Sequence, residues 1–443
     1  MMRRLVALLF VLSAWCLNIG PAAAIDIQRV VSPGGIEAWL VRDPTLPLLT
    51  IEMRFRGGAA SEPADRAGIS QLAIDMLREG AGDLDSTAFA RALEDRSISL
   101  GFGASSDSIS GGLRVLNEHR EFGIALLAAA LTRPRFDPQT VERVRTRLLA
   151  GYAREAEEPR AQARRAFQAV AFPDHPYGRG LDAAIAGTRA ATIDELRALL
   201  TARMARDNLI VGVVGDITAA ELGPLLDRAL GGLPATSRPV DVAEIRTAIS
   251  AERMIVIRRK LPQSVQIFGA PGLKRDDPDW FAAQLVNYVL GGGGFNSRLM
   301  TEVREKRGLT YGVSTGLSAL DFGSVLIGSS STENSRAAQS LDVIRSEWRR
   351  MAAEGPTADE LDGAKAYLTG SFPLGLDSSA SVARLLVAMQ YDRLGIDYLA
   401  RRDQLIRDVS LDDARRVARR LYGGPGFLTV IVGEPEGLES SGG

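Results

Sequence analysis

The chain has 443 residues, 46% of them hydrophobic and 24% charged, with 53 Lys+Arg balanced by 54 Asp+Glu. That is globular composition, long enough for two or more cores. Near-neutrality excludes binding to nucleic acid or anionic membrane through bulk charge.

The N-terminus reads as a secretion signal over residues 1–24. Met1-Met2-Arg3-Arg4 is a positive n-region, Leu5 to Trp15 is an apolar stretch too short to cross a bilayer as a mature helix, and Ala22-Ala23-Ala24 offers a cleavage site. Export to a bacterial periplasm is the simplest expectation, with a mature start near Ile25. A lipoprotein reading of Leu12 to Cys16 is disfavoured by the bulky Trp15. Cys16 is the only cysteine and lies in this signal, so the mature chain is expected to have no disulfide and no thiolate ligand. No later apolar run reaches membrane-spanning length.

Alternation predicts strands over Ile36–Val41 and Leu48–Phe55, separated by a turn at Asp43-Pro44 and closed by Gly57-Gly58. Ile69, Leu72, Ala73, Met76 and Leu77 share one helix face, and Gly80 ends that helix. Ser86 caps a short helix. Ile98–Phe102 and Ile109–Val115 read as an antiparallel pair, followed by helix from Glu118 to Leu131. Asp137-Pro138 is a cap followed by proline at the first helical position. It opens helix through Glu157, which resumes from Arg160 to Ala171. Thr192 caps a helix leading to a strand over Asn208–Val214, and Thr218 to Glu221 is a capping box. Residues 233–250, with Pro234 and Pro239, read as a linker.

The pattern then restarts. Strands are expected at Met254–Arg258 and Val265–Ala270, and a helix from Pro278 runs into Gly291-Gly292-Gly293-Gly294. A short charged helix should stop at Gly308, with a strand from about Thr310 to Leu317 carrying Tyr311. Gly323–Ser329, a helix over Glu333–Ala353, a capping box at Thr357, a helix capped by Ser410 and a strand over Phe427–Val432 complete the half. Thr192 precedes Gly215 by the same interval as Ser410 precedes Gly433, and Asp137 and Thr357 stand at nearly matching distances upstream. This is an internal repeat. It predicts an α+β fold of two homologous domains, each a mixed, mostly antiparallel sheet with helices packed on it. The domains span 25–232 and 251–435, followed by a flexible tail, 436–443.

Several chemistries are missing. His119 and His175 are the only histidines, so no H-x-x-H, H-E-x-x-H or H-x-x-E-H array exists. Both read as non-ligands: His119 at a polar helix start, His175 in a turn. There is no G-x-S-x-G elbow. The glycine run lacks the spacing and lysine of a phosphate loop, with Arg298 where no such lysine belongs.

The doubled half resembles the insulinase/pitrilysin family of inverted zinc peptidases. The resemblance is carried by the run from Leu290-Gly291-Gly292 to Ser297-Arg298-Leu299, by Arg304-Glu305-Lys306-Arg307-Gly308-Leu309-Thr310-Tyr311, and by Asp174-His175-Pro176-Tyr177-Gly178. It covers nearly all of residues 27–435. Its implication is divided work. The N-terminal half of such proteins carries H-x-x-E-H and a distal Glu for zinc, and the C-terminal half supplies an Arg and a Tyr, here Arg304 and Tyr311. In this chain Gln71, Ile74 and Asp75 fall where His, Glu and His belong, and the distal Glu falls near Gly151. A catalytic zinc needs about three protein ligands and a base within reach of its water. Gln71 is a poor ligand and Ile74 takes no proton, so no functional zinc site and no peptidase activity of the isolated chain are expected. Asp75 alone could hold a cation only weakly.

Three readings follow. In the first, the chain is the non-zinc subunit of a periplasmic heterodimeric metallopeptidase. Zinc then sits on an H-x-x-E-H-bearing homologous partner, Arg304 and Tyr311 stabilise the peptide oxyanion in trans, and Gly291–Gly294 let backbone approach the peptide. In the second, it is a catalytically inert peptide-binding or scaffold protein of the same fold; the plain alternative for the pair itself is a helix salt-bridged by Arg304 and a strand Tyr311 packed on the core. In the third, it is an independent enzyme with a site of another kind.

Overall fold

The computed structural model describes residues 25–441, so the expected signal peptide and Cys16 lie outside the described residues. In the N-terminal half, strands β1 (Gln28–Val31), β2 (Glu37–Arg42), β3 (Leu48–Arg56), β6 (Ser99–Ala104), β7 (Ser108–Leu116) and β8 (Leu209–Gly215) form one sheet in the order β1-β2-β8-β3-β7-β6. A two-residue hairpin, β4 (Gly80–Ala81) with β5 (Leu84–Asp85), stands apart from it. The C-terminal half builds β9 (Glu252–Arg258), β10 (Gln263–Pro271), β11 (Val313–Ala319), β12 (Ser324–Glu333) and β13 (Phe427–Gly433) into the order β11-β12-β10-β13-β9. Reversed, this is the order β2-β8-β3-β7-β6 of the first half. The pairings agree as well: β2 with β8 and β9 with β13 are parallel, and the other neighbours are antiparallel. The repeat seen in the sequence is therefore a repeat of topology.

Local chemistry explains many of the boundaries. Thr192, Thr218, Thr357 and Ser410 each close a full capping box with the residue three positions on. The short helix expected to be capped by Ser86 is capped by Asp85, whose carboxylate accepts from the Ala88 N–H, and Ser86 is its first residue. Five helices lie between β7 and β8, where the sequence predicted four, and five between β12 and β13, where it predicted three. The additional ones include Leu181–Ala190, Ser379–Tyr391 and Tyr398–Arg407.

Each sheet is covered on both faces, and one cover comes from the other half. Leu49, Ile51, Met53 and Phe55 of β3 face their own helices. The opposite face, with Trp39 and Val214, packs on Ala383, Leu386 and Met389 of helix Ser379–Tyr391. That helix lies so close to β8 that a Cβ on Gly212 would stand 2.5 Å from the Ala383 carbonyl. Reciprocally, Phe167 and Ala171 of helix Pro159–Ala171 pack on Ile267, Val430 and Val432 of the second sheet. Strand β13, apolar except for Thr429, is buried along its whole length for this reason.

The segment between the halves has no regular structure, yet it is anchored. The Ile245 N–H donates to the Phe322 carbonyl (2.7 Å) and the Ala248 N–H to the Ala171 carbonyl (2.9 Å). The tail expected to be flexible is tied down through Ser441. Met254 and Ser441 exchange backbone bonds of 2.9 and 2.8 Å, and Arg258 pairs with Glu439. An unpaired β9 edge offers donors and acceptors that the tail satisfies, as β1 does for β2.

Candidate functional site

Helix Ile69–Met76 carries the three positions of the degenerate metal motif. The turn before it is held by Glu62, whose carboxylate accepts from the Gly68 and Ser70 N–H groups at 2.7 and 2.6 Å. Ile74 is 1% exposed and belongs to the first core. Gln71 donates its amide to Asp75 at 2.8 Å, so the two polar positions satisfy each other one helical turn apart. Burial raises the Asp75 carboxyl, while the Gln71 bond and the charges of Arg147 and Arg78 pull it down. Arg147 lies on helix Pro138–Glu157, which also contains Gly151. Gly151 brings no side chain, and a Cβ there would meet nothing closer than an arginine tip at 4.0 Å. The residues therefore do not fit zinc. An amide engaged elsewhere, a core isoleucine and a carboxylate facing guanidinium groups make no ligand set. Among the described residues no three His, Cys, Asp or Glu side chains converge on a common point. The arginines facing Asp75 went unseen in the sequence, because arginines on a polar helix read as a solvated face.

The second half places Arg304 and Tyr311 in one cleft of about 360 Å³, together with Gln263, Gly308, Thr310 and Arg336. The backbone reaches it through two π-helical segments, Tyr288–Gly292 and Met300–Glu305, the wide-turn geometry that recurs at functional sites. Glu302 is clamped by Lys306 and Arg307 at 2.7 Å each. Gly308, at φ +60°, takes the left-handed conformation that ends this segment. Tyr311 does not sit in a strand as predicted: it occupies the bend before β11, which starts at Val313. The reason is Thr310, whose hydroxyl accepts from the Gly312 N–H at 3.1 Å and lies 2.9 and 2.7 Å from the Gly312 and Ser331 carbonyls. This side-chain turn competes with the ladder.

Tyr311 is 88% exposed, so it is not a core tyrosine. Arg304 makes no salt bridge among the described residues; its guanidinium stands 4.7 Å from the centre of the Phe295 ring, itself exposed. Both features run against the packed, salt-bridged alternative. The glycine run behaves differently from its expected role. A Cβ on Gly291 would stand 2.5 Å from the Thr315 hydroxyl, on Gly292 2.7 Å from the Asn287 amide, and on Gly293 2.8 Å from the Tyr288 carbonyl. These three are glycine because their own chain packs on them. Gly294 faces open space at φ +56° and turns Phe295 outward. Arg298 is buried and forked onto Glu360 at 2.7 and 2.6 Å, a structural anchor for the run.

His175 is buried, its Nδ1 accepts from the Tyr177 N–H and its Nε2 lies 3.0 Å from the Ala243 carbonyl. A polar clasp between the halves was not visible in the sequence. Tyr177 donates to Asp107 and accepts from the Phe322 N–H at 3.0 Å. Tyr391 donates to Asp321 at 2.6 Å, and the Asp321 N–H donates to Asp107 at 3.2 Å. Each half contributes one hairpin-tip aspartate and one tyrosine.

A doubled α+β fold with an Arg/Tyr cleft in one half and a metal position filled by Gln, Ile and Asp in the other defines a peptidase homologue without its own zinc set. The comparisons agree. A family model described as "Peptidase M16 inactive domain" matches residues 190–368. The chain is 27% identical over 352 residues to a "Non-peptidase homolog YmxG" of Helicobacter pylori, covering 79% of this chain and 80% of that one. It is 26% identical over 416 residues to an "Uncharacterized zinc protease" of Streptomyces coelicolor, covering 91% and 89%. The crystal structure of a peptidase M16 inactive domain from Pseudomonas fluorescens superposes with a TM-score of 0.86 at 26% identity, over 94% of this chain and all of the other. The chain is thus similar to M16, or insulinase/pitrilysin, peptidase homologues over most of its length; it lacks H-x-x-E-H and carries Arg304 and Tyr311.

Proposed function

We propose that this protein is the non-zinc subunit of an exported heterodimeric peptidase and lends Arg304 and Tyr311 to an active site whose metal is carried by an H-x-x-E-H-bearing homologue. The observation that carries the reading is the contrast between the halves. The metal position is closed by Ile74 and self-paired Gln71 and Asp75, while Tyr311 is exposed beside an Arg304 that forms no salt bridge among the described residues, in a cleft also lined by Glu305 and Glu333. Peptide hydrolysis develops negative charge on the former carbonyl oxygen, and a phenol O–H and a guanidinium are suited donors to it. The partner would supply the metal that activates water; this chain would bind the peptide and stabilise the oxyanion. The signal-like N-terminus supports a periplasmic setting. Relatives described as a non-peptidase homologue and as zinc proteases support a family in which zinc-type and zinc-free chains coexist.

Co-expression with a zinc-type homologue, followed by size analysis and a peptide-cleavage assay of each chain alone and together, tests this. Cleavage is expected only from the pair, and Tyr311→Phe should lower its turnover by on the order of 100-fold. Unchanged turnover in that variant would end the reading.

A further inference from the structure

The bend bearing Tyr311 is tied on both sides of a side chain that makes no bond itself. The Gly308 N–H donates to the Arg304 carbonyl at 2.8 Å and the Leu309 N–H to the Val303 carbonyl at 2.9 Å. The Leu309 carbonyl accepts from the Thr332 hydroxyl, and Thr310 is held by Ser330 and Ser331. All of these come from the body of the sheet or the preceding π segment. One tie comes from the wall of the cleft: Arg336, in the turn Asn334–Arg336 after β12, donates to the Gly308 carbonyl at 2.8 Å. Gly308 is the left-handed residue at which the chain reverses between Arg304 and Tyr311, and a Cβ there would meet nothing within 4 Å. The Gly308–Leu309 peptide is held at its N–H end by the Val303 carbonyl, and Arg336 is the side chain that holds its carbonyl end.

We propose that Arg336 is a positioning residue: it locks the Gly308 peptide and thereby sets the spacing of the Arg304 guanidinium and the Tyr311 phenol. The inference rests on the reading of that pair as an oxyanion clamp. A catalytic donor displaced by about 1 Å loses on the order of 100-fold, so loss of a single tie in a multiply held bend should lower kcat by about tenfold. KM should change little, because the pair acts on charge that appears only in the transition state. The Arg336 side chain is itself exposed, so its removal leaves both cores intact.

The test has two arms. In the reconstituted pair of chains, Arg336→Ala is expected to lower kcat about tenfold, with Arg336→Lys restoring most of it, since one N–H suffices for one carbonyl. In a Tyr311→Phe background Arg336→Ala should have little further effect, because it acts through the residue already removed. Full additivity there, or a loss in KM alone, overturns the inference. If Tyr311→Phe and Arg304→Ala are themselves silent, the clamp reading falls instead. The second arm needs no activity. In the isolated full chain, hydrogen exchange at the Leu309 and Gly312 amides should quicken by about tenfold in Arg336→Ala, with the unfolding midpoint unchanged. Unaltered exchange overturns the inference whatever the enzyme assay shows.

Discussion

Replacing Tyr391 by phenylalanine removes one hydroxyl from the clasp between the halves and leaves the ring where it is. The ring stays packed: Arg56 stands 4.1 Å from its centroid and donates to the Tyr391 carbonyl. Lost is the 2.6 Å bond to the Asp321 carboxylate, with a weaker 3.3 Å bond to the Asp107 carbonyl. A hydrogen bond to a charged group contributes about 1.5–3 kcal/mol. The Asp321 side chain is 27% exposed, with Arg56 3.9 Å away, so water and the guanidinium recover part of that. About 1.5–2 kcal/mol of destabilisation is therefore expected, the lower end of that range. Burial, with Asp321 as the next cause, raises the Tyr391 hydroxyl well above the usual phenol value, so it stays a donor at all working pH. Urea unfolding followed by circular dichroism measures the change. The Tyr177→Phe counterpart should couple to it by at least about 0.5 kcal/mol, because the Asp321 N–H bond to Asp107 joins the two arms. A Tyr391→Phe protein within about 0.3 kcal/mol of the parent, or strict additivity of the two changes, would refute a shared clasp.

Other outcomes follow from the same geometry. Arg298→Ala strips a buried fork from Glu360 and a 2.9 Å bond from the Gly355 carbonyl. It should cost about 3 kcal/mol in urea unfolding, with Arg298→Lys recovering little because the fork is bidentate. Glu195 is held down to about 2 from 4.5, first by Arg66 and then by the Thr192 backbone. A depressed carboxylate stabilises the fold above its unfolded value, so this contribution is full above pH 4.5 and fades as pH falls towards 2. Glu195→Gln should flatten that part of the acid-unfolding curve, and an unaltered slope would show that the pairing does not persist in solution.

Much of the architecture could be read from local patterns. Capping boxes at Thr192, Thr218, Thr357 and Ser410, the proline after Asp137 and the alternation in β3 and β7 act within a few residues, so spacing alone locates them. Helices such as Ser379–Tyr391 were missed because their apolar faces are spent on the other half, a partner that no local pattern encodes. Tyr311 was misplaced into a strand because the turn at Thr310 depends on Ser330 and Ser331, some twenty residues on.

The candidate site divides along the same line. Residue identity alone determined that Gln71, Ile74 and Asp75 form no zinc set and that Arg304 and Tyr311 have the family's spacing, since ligand chemistry belongs to side-chain type. The inward-facing Gly291–Gly293, the outward Phe295 over Arg304, the exposed Tyr311 and the Arg336 tie to Gly308 were decided only by tertiary structure. Exposure and hydrogen-bond direction depend on which distant segments fold against a residue, and the order of residues along the chain does not record that.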